Sequence, residues 1–118
     1  MKISILLPFK ENFSPNYAGA VSLFVNDTIN CSIYKKKISV FGTTDYKSFP
    51  STNYINIDFK KKIFSSTNKL YVEKFLNMES KINSDLIEIH NRPNYISIIR
   101  KKYHKLLFLF LHNDPLQM

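Results

Sequence analysis

The stretch Asp85–Asp114, DLIEIHNRPNYISIIRKKYHKLLFLFLHND, decides the fold. It holds two short apolar runs, Leu86–Ile89 and Leu106–Leu111, and each ends in a His-Asn pair, His90-Asn91 and His112-Asn113. Between them Pro93 opens a segment, Asn94 to Tyr103, whose apolar residues recur with a helical period. This reads as strand, helix, strand, with a polar pair leaving the carboxyl end of each strand. In a parallel sheet both pairs emerge on one edge, the edge at which open α/β folds bind ligands.

The rest of the chain repeats the alternation. Lys2–Pro8 (KISILLP) is a continuous apolar run rich in β-branched residues and stopped by proline, as in a strand buried on both faces. Phe9–Ala18 follows as a polar loop, long for a strand-to-helix connection, and long loops are often functional. From Gly19 to about Tyr34, Val21, Val25, Ile29 and Ile33 recur every four positions, widened by Phe24 and Cys31. This predicts an amphipathic helix closed by Lys35–Lys37, cations where the helix dipole favours them. Ile38–Phe41 and Tyr54–Asp58 read as strands around a Thr43–Asn53 loop. Lys69–Asn83, with Tyr71, Phe75, Met78 and Ile82 on one face, reads as the clearest helix. In the last helical segment Tyr95, Ile98, Ile99 and the stem of Lys102 mark the inward face. Lys105–His112 is the fifth strand.

The order βα, β, βα, βα, β predicts one α/β domain over residues 1–118: a doubly wound parallel sheet of about five strands with right-handed crossovers, in the order 3-2-1-4-5. Three helices for five strands leave one face of the sheet undercovered. That predicts either a larger architecture or a partner.

Composition bounds the function. Lys and Arg number 17 against 9 Asp and Glu, a net charge of +8 that favours anionic partners: nucleic acid, phosphorylated substrates or a membrane surface. The basic runs Lys35–Lys37, Lys60–Lys62 and Arg100–Lys102 sit at helix ends and loops, and the aromatics fall in apolar stripes. Neither pattern builds a base-stacking surface, which argues against nucleic acid. One cysteine excludes a disulfide framework, and Cys31 is expected as a buried structural thiol. No cluster has metal-ligand spacing, so no metal is expected. Leu106–Leu111 is far below the ~20 residues that span a bilayer. A cytoplasmic protein able to touch the inner face of a membrane is expected.

The candidate site residues collect at the predicted edge. Gly19-Ala20 opens a helix, where small residues admit a close ligand and free N–H groups face an anion; a plain loop-to-helix junction is the alternative. His90 and His112 can hydrogen-bond a sugar hydroxyl or phosphate, or be strand-end histidines satisfied by backbone. Arg92 can reach an anion, or it can sit at a helix cap before Pro93. Asp114 can pair with His112, or be a turn residue before Pro115. Neither G-x-G-x-x-G nor G-x-x-x-x-G-K-[ST] occurs.

Taken together, KISILLP, the loop reaching Gly19-Ala20, DLIEIHNRP and LFLHNDP resemble the N-terminal domain of glycosyltransferase family 4 over nearly the whole chain. That family has the GT-B architecture, two Rossmann-like domains facing a cleft. The resemblance implies a metal-independent, retaining transferase that uses a nucleotide-sugar as co-substrate rather than a cofactor. Its N-terminal domain binds a saccharide or lipid-linked acceptor. It implies His112 as the catalytic histidine beside the donor sugar. Gly19 and Ala20 would lie near the donor phosphates, and His90, Asn91 and Arg92 on the acceptor side, with Asn113 and Asp114 beside His112. The first loop has one glycine where many members have two. The donor-binding half with its Glu-x7-Glu region is not among these residues. The domain alone is therefore expected to be inactive until that half joins it, in cis or in trans. The competing expectation is a non-enzymatic, flavodoxin-like module that uses the same edge for a phosphorylated ligand or a protein partner.

Overall fold

The computed structural model describes residues 1–44 and 46–112. The elements are β1 (Ile3–Leu6), α1 (Ala20–Asn30), β2 (Ile38–Gly42), β3 (Asn53–Asn56), α2 (Thr67–Ile82), β4 (Leu86–His90), α3 (Tyr95–Ile99) and β5 (Leu106–Phe110), with a single 3-10 turn at Lys35–Lys37 before β2. All five strands are parallel and lie in the order β3-β2-β1-β4-β5, as the sequence predicts. β1 is the middle strand: Ile3 lies between Ile38 and Leu86, and Leu6 between Phe41 and Ile89.

Alternation along the strands sorts the apolar side chains into two cores. Ile3, Ile5, Ile38, Val40 and Leu86 face α1 through Val21, Val25 and Ile29. Leu6, Phe41, Ile87 and Ile89 face α2 and α3 through Tyr71, Phe75, Tyr95 and Ile99. The second core is the better covered. On the α1 side the sheet runs out of cover at β5, where Leu106 and Phe108 are about half exposed.

Helix ends follow from local chemistry. Ser66 caps α2 by accepting the Lys69 N–H, and Asn83 ends it in the left-handed conformation at φ 58°. α1 stops four residues earlier than its apolar spacing suggests. The Ser32 hydroxyl accepts the Tyr34 N–H and competes with the helical pattern, so the chain turns. In consequence Cys31 is exposed rather than buried, and Ile33 points into solvent. The lysines of the 3-10 turn lie beyond the helix instead of closing it. α3 likewise ends at Ile99, so Lys102 is exposed and Tyr103 takes the inward place, its hydroxyl donating to the Ser84 carbonyl.

The exit of β1 is pinned on the α2–α3 side. The Tyr71 hydroxyl donates to the Leu7 carbonyl at 2.6 Å, and the Phe9 N–H donates to the Tyr95 hydroxyl at 3.1 Å. Burial first, then the neighbouring Tyr95 and Tyr54, hold the Tyr71 phenol well above its ordinary range, so it stays a donor. Tyr71→Phe leaves a buried carbonyl without this donor. It is expected to cost about 1–3 kcal/mol in urea unfolding, and an unchanged midpoint would show the bond to be dispensable.

Candidate functional site at the carboxyl edge

β1 and β4 are neighbours whose connections run to opposite faces of the sheet, the topological switch point of an open α/β fold. A mainly polar cavity of about 320 Å³ opens there, between Pro8, Phe9, Lys10 and Glu11 after β1, Asn91 and Arg92 after β4, and Val21 of α1. Two residues at this cavity have left-handed backbone, Lys10 at φ 68° and Asn91 at φ 57°. For lysine that conformation is costly and needs support from its surroundings. Thr43 gives some, its Oγ1 accepting the Lys10 N–H at 2.7 Å. A larger cavity of about 730 Å³ lies at the opposite, amino edge, between Met1, Lys37, Asn53 and Ile82. The strained residues and the imidazoles are at the carboxyl edge, so the smaller cavity is the better candidate.

The structure brings His90 and His112 together. His90 Nδ1 lies 2.9 Å from His112 Nε2, and the rings are nearly parallel. Phe110 stacks on His90, and Phe24 of α1 meets His112 edge-on at 4.8 Å. Asn91 fixes the height of His112: its Oδ1 accepts the His112 N–H at 2.7 Å, while its own N–H donates to the Phe110 carbonyl. The arrangement exists because β4 and β5 are paired in register up to His90 and Phe110, which ends both strands at one level.

The other expected residues among those described lie around this pair and the cavity. His90 is 1% exposed, so it reaches a ligand only through His112. Arg92 is half-buried, donates to the Asn91 carbonyl at 2.7 Å, and lies beside the Tyr95 hydroxyl. Gly19 is the N-cap of α1 in an extended conformation, and a Cβ there would lie 2.6 Å from Glu11 Oε2, the movable end of a side chain, so a larger residue would push the carboxylate aside. The Glu11 carboxylate thus already rests at the helix entrance where an anionic ligand was expected. Ala20 is exposed beside it. Asn113 and Asp114 lie outside the described residues.

Sequence reading missed Glu88. It sits mid-strand between Ile5 of β1 and Phe108 of β5, and its Oε2 stands 3.5 Å from His90 Nε2, a buried nitrogen that makes no hydrogen bond. The signal was available, since an acid interrupts an otherwise apolar run in Leu86–Ile89. A carboxylate at His90 Nε2 favours a proton on that nitrogen. Nδ1 is then an acceptor, and His112 must donate from Nε2, which frees its Nδ1 as the outer base. Glu88, His90 and His112 thus lie in a row from the half-covered face to the edge, with a hydrogen bond between the two imidazoles.

Among the described residues no group of three or more His, Cys, Asp or Glu is placed to hold a metal ion, and no helix is long and apolar enough to cross a membrane. Comparison with protein-family models, curated proteins and solved structures finds no match to this chain.

Two outcomes follow from this geometry. In long-range 1H–15N spectra His90 and His112 should both appear as Nε2–H tautomers, and Glu88→Gln should weaken that preference at His90; an Nδ1–H tautomer of His90 in the unaltered chain would contradict the assignment. Desolvation first, then His90, lowers the His112 pKa from its ordinary 6.5. The folded chain then binds fewer protons than the unfolded one just below that value. Stability should fall as pH drops from 6.5 through the folded value, and His112→Gln should flatten this part of the curve in urea unfolding at stepped pH.

Proposed function

We propose that this chain is the acceptor-side domain of a GT-B glycosyltransferase, similar to family 4, that moves a sugar from a nucleotide-sugar to a saccharide or lipid-linked acceptor. The observation that carries the reading is the hydrogen-bonded His90–His112 pair at the carboxyl edge, tied through Asn91 to the polar cavity of the switch point. An imidazole with a free nitrogen at a sheet edge can bond a sugar hydroxyl or a phosphate oxygen. Lys10 and Arg92 bring positive charge to the cavity, with Glu11 as the one acid in its lining.

In this reading His112 is the catalytic residue that touches the donor sugar. His90 acts through it, and Asn91 positions it. Gly19 leaves room for the Glu11 carboxylate at the entrance of α1, and Arg92 holds the acceptor-side loop. The uncovered β5 face and the open edge would meet the donor-binding half, in cis or in trans. The net charge of +8 suits an acceptor carried on an anionic membrane, with the domain peripheral on its inner face.

The test is titration of the 15N-labelled chain with glucose 1-phosphate, with inorganic phosphate as control. The expected result is perturbation of the Asn91, Arg92 and His112 resonances by the sugar phosphate, lost in His112→Ala. An equal response to both anions would overturn the sugar reading in favour of a phosphate-binding module. No response at this edge would overturn both.

A further inference from the structure

The turn that leads into α2 is built against the usual logic of turns. The Ser65 N–H donates to the Lys62 carbonyl, which puts Ile63 and Phe64 at the two central positions of a reverse turn. Such positions normally carry Gly, Pro, Asn, Asp or Ser. Here Ile63 is 94% exposed and Phe64 100% exposed, while the core beneath contains neither. Scattered exposed apolar residues are ordinary, but a fully exposed Ile-Phe pair at a turn apex contributes nothing to this fold. Lys60, Lys61 and Lys62, all exposed, run directly into the pair.

We propose that the Lys60–Phe64 turn is a membrane anchor that inserts Ile63 and Phe64 among the lipids of an anionic bilayer while the three lysines lie at its headgroups. The charge favours this occupant: three consecutive exposed lysines would repel a basic partner and are attracted to an anionic surface. The nearby acids, Asp58 before the turn and Glu73 on α2, border a groove that Lys60, Lys62 and Lys74 also line, so the cations there outnumber them, and Ile63 and Phe64 lie outside it. Each lysine near an anionic surface is worth roughly fivefold in affinity, and the apolar pair adds insertion that salt does not screen.

The anchor is joined to the cavity of the carboxyl edge. Lys61 Nζ lies 5.7 Å from the centre of the Phe9 ring, Phe59 packs on the same ring, and Phe9 lines the cavity. An inserted tip would therefore hold that edge against the bilayer. The acceptor class would then be a lipid-linked one, a step that rests on the reading of the site given above.

The chain has no tryptophan, so Phe64→Trp supplies a single reporter. Its emission should shift to the blue when phosphatidylcholine vesicles containing phosphatidylglycerol are added, and stay unchanged with phosphatidylcholine alone. In flotation with the same vesicles, Ile63→Ser with Phe64→Ser should lose at least tenfold in bound fraction. Replacing the three lysines by Gln should abolish the preference for phosphatidylglycerol. All three changes are at exposed positions, and a matching thermal midpoint confirms the fold. An unmoved Trp emission, or vesicle binding by the double serine variant equal to that of the unaltered chain, overturns the anchor. No sugar enters the assay, so its failure is separate from failure of the glycosyl-transfer reading.

Discussion

Every distance at the carboxyl edge depends on how β1 is held in the middle of the sheet. It exchanges ladder bonds with β2 on one side and β4 on the other, and it contributes to both apolar cores. Its exit is then fixed from three directions. The Leu7 N–H reaches Phe41 on β2, Tyr71 of α2 and Tyr95 near β4 hold Leu7 and Phe9, and Thr43 takes Lys10. A buried backbone group has to find a partner or bear its full desolvation cost. These bonds are therefore constraints as much as contributions. They give the following loop a fixed start, which lets Lys10 sit in an unfavourable conformation over the cavity.

The second constraint is polar. Glu88 and His90 point toward the α1 side of the sheet, a place that would otherwise be filled by branched aliphatics. Burying a carboxylate or an imidazole without partners is costly, and two in one strand more so. The structure lowers that cost by letting them face each other and by passing the second imidazole nitrogen on to His112. It also leaves this side of the sheet incompletely covered, so Glu88 keeps some solvent. The exposed Leu106 and Phe108 belong to the same open face. Stability is traded there for a surface that the described chain does not itself cover.

Much of the fold was legible because its signals are local. β1 and β2 are unbroken apolar runs that only a two-sided burial explains, and α2 carries a clear stripe with Ser66 and Asn83 at its ends. Errors gathered where a side chain overruled the pattern. Ser32 turned the chain away from a helix that Ile33 still matched in spacing, and Cys31 went to solvent with it. Past α3, Tyr103 displaced Lys102 because its hydroxyl could reach the Ser84 carbonyl. At the site, His90, Asn91 and His112 were legible as strand-end residues. Glu88, Lys10 and Glu11 were not, since they matter through neighbours distant in the chain.

The sequence by itself determined the alternation of strands and helices, the parallel order of the sheet, and the edge at which its polar residues emerge. Those follow from hydrophobic period and from the handedness of crossovers, which need no knowledge of contacts. Only the tertiary structure decided which histidine is buried and which is half-open, that the two share a hydrogen bond with Glu88 behind them, and that Glu11 occupies the space beside Gly19. Those depend on register between strands, where a shift of one residue would send every side chain to the other face. No local pattern carries that information, because register is set by the summed packing of both cores.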